Sequence, residues 1–133
     1  MKTAHLIAAA FAVLLVASTT HAQKSTEIYI PIGKSPGLSG KHTAVGFIQT
    51  VDLQTMTMTI AGGTRNWTVK MDHDSAIYLD RSSYRMKNLY GTEDDCQVGL
   101  LCEVKYVGGT RPEGVTCEWI KIQPIDPRRR RSG

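Results

Sequence analysis

Between residues 43 and 79 the chain reads TAVGFIQTVDLQTMTMTIAGGTRNWTVKMDHDSAIYL, and much of it alternates. Met56, Thr57, Met58, Thr59 and Ile60 keep a strict period of two, as do Trp67, Thr68, Val69, Lys70 and Met71. Successive side chains of an extended strand point to opposite faces, so this period builds a sheet with one apolar and one polar face. The stretch therefore predicts three consecutive strands, over about residues 43–51, 55–60 and 66–71. The third is interrupted at Asp72-His73-Asp74 and resumes over residues 76–79. Asp52-Leu53-Gln54 forms the first turn, and Gly62 and Gly63, free to take positive φ, form the second. Gly46 inside the first strand predicts a bend or bulge.

The rest of the chain is placed to close that sheet. Residues 27–32, EIYIPI, read as a short extended piece at an edge or strand end, because Pro31 cannot donate to a ladder. Residues 33–40, GKSPGLSG, read as a loop. Residues 80–89, DRSSYRMKNL, are the one helical candidate, with Asp80 or Ser82 as its cap. Tyr84, Met86 and Leu89 cannot define a long apolar face, so the expected helix has one or two turns. Residues 90–99 read as loop, and residues 100–107 and 115–122 as a final hairpin turning over residues 108–114. Strand, strand, strand, short helix, strand, strand is the order of an all-β, five-stranded OB-like Greek-key barrel with one short helix between strands three and four. The predicted core is Phe47 or Ile48, Val51, Met56, Met58, Ile60, Trp67, Val69, Met71, Ile77, Leu79, Leu89, Val98, Val104, Ile120 and Ile122.

Residues 1–22 are expected to be a secretory signal peptide. A lysine stands near the start, an apolar run spans residues 6–18, and Thr20-His21-Ala22 precedes the expected cleavage before Gln23. The run is short for a membrane span, and no later stretch approaches one. The domain plan is then a leader over 1–22, an N-terminal extension and loop over 23–41, the barrel over 42–123, and a disordered basic tail over 124–133. The expected location is periplasmic or secreted. Past residue 22 the chain holds fifteen cations against twelve acids, and residues 128–131 are four consecutive arginines. Without that run the balance is near neutral, so nucleic acid is not the expected partner: such a barrel carries its charge along a groove of its body. The arginine run itself suits an anionic surface such as lipid headgroups, or a solvated tail.

Three cysteines remain, Cys96, Cys102 and Cys117. An oxidising compartment suggests one disulfide and one leftover thiol. Cys102 and Cys117 sit on the two arms of the predicted hairpin. Val107 opposite Pro112 would set them face to face, and Val107 opposite Gly114 would leave them diagonal and strained. Cys102–Cys117 is the expected pair, with Cys96 able to join either and three free thiols as the alternative.

The succession Gly46-Phe-Ile-Gln-Thr-Val-Asp52, an alternating strand, Gly-Gly, Trp-Thr-Val, Asp-Ser-Ala-Ile-Tyr-Leu, then Val98-Gly99 before Cys-Glu-Val-Lys-Tyr, resembles small exported bacterial OB-like β-barrel proteins of uncharacterised function. The resemblance covers about residues 43–122 and implies the fold and no activity. No Ser-His-Asp order or nucleophile elbow is present, and the Asp72-His73-Asp74 and Glu93-Asp94-Asp95 clusters read as solvated turns, so the chain is expected not to be an enzyme and to need no cofactor. The expected function is an exported binding or interaction module, its partner another exported protein or envelope component. Lys34 and Ser35 on the 33–40 loop, and Tyr78 and Tyr106 pointing outward, are the candidate binding residues. One alternative is a Cu(I)/Ag(I)-binding protein using Met56, Met58 and His73, whose thioethers and imidazole suit soft cations. That set is similar to the ligands of periplasmic copper-efflux chaperones, although their Met-x-Met pair opens the third strand and here it lies in the second. It requires Met56 and Met58 at a solvent-exposed rim, whereas a binding module buries them. A further alternative is an accessory or inhibitor of an enzyme that docks through residues 33–40.

Overall fold

Gly46 lies where two strands nearly touch: a Cβ added to it would fall on the backbone carbonyl of Ala61. Strand β1 (Thr43–Asp52) pairs there with β2 (Thr57–Gly62), and on its other edge with β6 (Leu101–Val107). The bend expected at Gly46 is a close backbone approach, and the register break comes later, where Gln49 is the extra residue between Ile48 and Thr50. That bulge keeps Ala44 and Ile48, and then Val51 beyond it, on the inner side. Gly46→Ala sets a side-chain carbon against backbone that cannot yield, and is expected to destabilise the barrel by about 2–3 kcal/mol. A urea midpoint unchanged from wild type would refute this.

The structure is a computed structural model. It describes residues 26–107 and 115–132, without the side chains of 131 and 132. The expected leader and the expected 108–114 turn lie outside the described residues.

Strand β3 (Arg65–Lys70) pairs with β2, and β7 (Val115–Ile122) runs antiparallel to β6 and parallel to β3. The pairings β1–β2, β2–β3, β3–β7, β7–β6 and β6–β1 close the sheet on itself. This is a small five-stranded barrel in OB order. The interruption at 72–75 splits the third strand, and its second half, β4 (Ala76–Leu79), continues parallel to β7 and takes a two-residue partner, β5 (Leu89–Tyr90). The helical candidate between the third strand and β6 is one 3-10 turn, Ser82–Tyr84. It stops at Arg85, whose φ is +57°, and Asp80 Oδ1 accepts the Ser82 N–H at its start.

The interior holds Ile48, Met58, Ile60, Trp67, Val69, Met71, Ile77, Val104, Ile120 and Ile122, as alternation requires. Phe47 takes the outer face at 54% exposure, leaving the inside to Ile48. Leu89 and Val98 are exposed, against expectation. Leu89 is on the short edge strand β5, and Val98 precedes the turn at Gly99 (φ +91°), whose N–H bonds the Ile48 carbonyl. Cys96, Cys102 and Cys117 fill interior space instead.

No disulfide links these cysteines, and the register gives the reason. Val107 lies opposite Thr116, Cys117 opposite Tyr106, and Cys102 opposite Ile122, so Cys102 and Cys117 stand well apart along the hairpin. A bulge between Lys105 and Tyr106 leaves Glu118 without an opposite residue. It lets Val115 and Cys117 face inward on one side of the break and Ile120 and Ile122 on the other.

The N-terminal extension is a strap. A 3-10 turn (Glu27–Tyr29) and the loop after it pack Ile28 and Leu38 over Trp119 and Tyr78, which point outward from the barrel. Beyond β7 the chain is also held: Tyr84 Oη donates to the Pro124 carbonyl, Arg128 pairs with Asp126, and Arg129–Ser132 form a 3-10 turn. No helix among the described residues is long and apolar enough to cross a membrane.

Candidate functional site

The positions expected to act together are separated by the fold. Lys34 is exposed on the strap, but its neighbour Ser35 is 3% exposed. Ser35 Oγ donates to Glu27 Oε2 at 2.7 Å and receives Lys121 Nζ at 2.8 Å, so it belongs to the packing of the strap and offers nothing to a ligand. Tyr78 does point away from the barrel, yet the strap covers it. Burial raises its phenol to about 12, with Tyr90, Glu27 and Glu118 adding negative charge nearby. The residue was misplaced because strand alternation says which face of the sheet a side chain takes, and nothing about what later lies over that face.

The soft-metal set is not drawn to a rim. Met58 is 1% exposed and sits opposite Val69, which is wholly buried. Met56 (φ +54°) is half-buried against the same core, and His73 is exposed in the turn that splits the third strand. Thioethers adapt to irregular gaps, and three of them, from Met56, Met58 and Met71, serve as core filling here. Among the described residues no group of three or more His, Cys, Asp or Glu side chains is arranged to hold a metal ion.

Tyr106, the remaining candidate, borders an open cavity. Its ring stacks on Trp67 with centroids 4.8 Å apart and planes 23° from parallel. The stack stands at one mouth of the barrel, in an open cavity of about 490 Å3. Gly62, Gly63, Thr64 and Arg65 line it from the β2–β3 turn, and Thr43, Ala44 and Val45 from the start of β1. The narrow turn is sequence-made: Gly63 takes φ +61°, and a Cβ on Gly62 would come within 2.8 Å of the Val45 carbonyl. Trp67 is nearly closed off behind Tyr106, while Tyr106 is half-buried, so the pair offers one backed aromatic face. Arg65 is exposed, and its side chain makes no hydrogen bond or ion pair among the described residues. Among the described residues the lining contains no carboxylate, imidazole or thiol. The sequence sets Tyr106 outward, but its ring packs against the core and on Trp67, and the sequence reads Arg65 only as part of a turn. The signal available was the glycine pair beside Arg65 and an aromatic two residues on.

The strongly displaced thiols lie elsewhere. Burial pushes Cys96 and Cys102 up to about 12 and raises Cys117 as well, against the bond it makes with Ser75 Oγ at 3.2 Å. A thiol held protonated is a poor nucleophile, and these three behave as core side chains.

The strand order and the open mouth define the class: a closed five-stranded OB-like barrel with an aromatic-lined depression at one end. No family model and no curated protein matches the chain. A solved structure titled "Crystal structure of Ag(I)CusF" is similar, with a TM-score of 0.42 and 11% sequence identity over 61% of this chain and 95% of that one.

Proposed function

We propose that the protein is an exported, non-catalytic binding module, periplasmic or secreted, that takes its ligand at the mouth beside Tyr106. The stacked Trp67–Tyr106 pair, next to an Arg65 side chain that has no partner among the described residues, carries this reading. A ring face resting on Tyr106 is worth on the order of 1–3 kcal/mol, and the Arg65 guanidinium adds a planar fork of donors for an anionic group. The ligand class is therefore a ring-bearing anion, free or displayed by a partner protein. The lining supports binding without chemistry, because it provides no group to take up or release a proton near neutral pH.

The test titrates glucuronate and, separately, benzoate into isotopically labelled protein and follows the amide resonances. Shifts are expected at residues 62–67 and at Tyr106, and the Tyr106→Ala and Arg65→Ala variants are each expected to weaken binding about tenfold or more. Shifts confined to the strap, or wild-type affinity in both variants, would remove the proposal.

A further inference from the structure

At a second place the surface is more apolar than a lone soluble barrel requires. Phe47 is 54% exposed and Ile125 47%. Phe47 on β1 lies opposite Leu101 on β6, and both line a groove of about 490 Å3 with Leu100, Pro124 and Ile125. Clustered apolar side chains on a surface mark a contact with something less polar than water.

The charge at the lip indicates what that is. Arg129 lines the groove, and Arg130 beside it is exposed. The nearby acid, Asp126, is already neutralised: Arg128 Nε and Nη2 reach its two carboxylate oxygens at 2.9 and 2.8 Å. Arg128 is thus spent internally, and among the described residues Arg129 and Arg130 make no salt bridge and leave positive charge beside the apolar groove.

We infer that this face, Phe47, Leu101 and Ile125 bordered by Arg129 and Arg130, docks the protein on an anionic lipid surface. Interfacial binding needs two signals acting together, apolar side chains entering the headgroup layer and cations meeting its negative potential, and this face has both. A solely acidic polymer would answer the arginines and leave Phe47 and Ile125 in water. A neutral apolar partner would leave the arginines without counter-charge. Arginine also reaches headgroups while its stem stays on apolar surface.

Vesicle co-sedimentation at about 0.1 M salt, a screening regime in which exposed charges act only at short range, tests the inference on the chain starting at Gln23. Vesicles of phosphatidylcholine with one part in three phosphatidylglycerol are expected to bind it, and pure phosphatidylcholine vesicles are not. Arg129→Ser with Arg130→Ser is expected to weaken binding roughly twenty-fivefold, at roughly fivefold per arginine. Phe47→Ser with Ile125→Ser is expected to weaken it at least about tenfold, the scale of two half-exposed apolar side chains. Circular dichroism checks that each variant is folded. Absence of binding to the anionic vesicles overturns the inference. So does unchanged binding in the Phe47/Ile125 variant, because attraction to the arginine run alone then accounts for everything. Polyglutamate that competes as well as the vesicles would move the assignment to an acidic protein partner.

Discussion

Lys121→Met is expected to destabilise the protein by about 3–5 kcal/mol, enough to remove a large share of the stability of a domain this size. Lys121 points outward from β7 and is 1% exposed, because the strap closes over it. Its Nζ lies 2.6 Å from Glu27 Oε2 and 2.8 Å from Ser35 Oγ, with the Trp119 ring centroid at 4.5 Å. Methionine keeps most of the stem volume and removes only the charge, so the loss reports the Glu27 carboxylate left buried without its cation. Glu27 tolerates that poorly, since its Oε1 has no partner among the described residues even in the wild type. Directly across on β6, Glu103 is also fully buried, but it accepts the Gly33 N–H and the hydroxyls of Ser39 and Thr43, and so depends less on Lys121. Replacing both partners, Glu27→Leu with Lys121→Met, removes two buried charges together and is expected to restore most of the loss. The double-mutant cycle, read by urea unfolding, should therefore return a coupling well above the few tenths of a kcal/mol seen for independent sites. If the single and double replacements proved additive, the strap would not be held by this pair.

Alkaline pH is expected to destabilise the barrel steeply. In the folded state Cys96 and Cys102 keep their protons up to about pH 12, chiefly because burial penalises the thiolate, whereas the ordinary value is 9.0. Cys117 is raised in the same direction. Above pH 9 the unfolded chain therefore binds fewer protons than the native one, and stability falls as pH rises. Below pH 9 the contribution is fully present, and it is exhausted by about pH 12. Each thiol costs up to about 1.4 kcal/mol per pH unit within that window, so Cys96 and Cys102 together remove about 3 kcal/mol between pH 9 and 10.5. Tyr78, raised from 10.0 to about 12, joins above pH 10. Urea midpoints measured under a reducing agent should fall steeply from pH 9, and a variant with all three cysteines changed to alanine should fall less. A wild-type midpoint constant to pH 11 would show that the thiols are open to water.

The barrel was readable in the sequence because its strands are locally encoded. Period-two runs at 56–60 and 67–71 state which side chains face inward whatever those strands pair with, and the glycines at 62 and 63 state where the chain reverses. Two features broke that reading, and both are one-residue events. The bulges at Gln49 and Glu118 each shift the alternation by one position. The second set the hairpin register, and with it the separation of Cys102 from Cys117. Nothing in the local pattern announces an extra unpaired residue, because a bulge is settled by how two strands meet when the sheet coils.

The candidate site divides in the same way. Tyr106 was recognisable as an aromatic in a strand, but its stacking on Trp67 joins residues thirty-nine positions apart, and only barrel closure sets the two rings together. Ser35 and Tyr78 looked like surface residues because loop composition and strand parity both point outward. Ser35 is drawn in by Glu27 and Lys121, which are ninety-four residues apart, and the strap's Ile28 and Leu38 cover Tyr78.

By itself the sequence determined the strands, their inward faces and the order that closes them, because those properties depend on neighbours one to four residues away. The tertiary structure alone decided which outward faces stay wet, which cysteines meet, and where an aromatic face is left open. Those outcomes depend on which distant surfaces come into contact, and a side chain's burial belongs to the pair of surfaces and not to either segment.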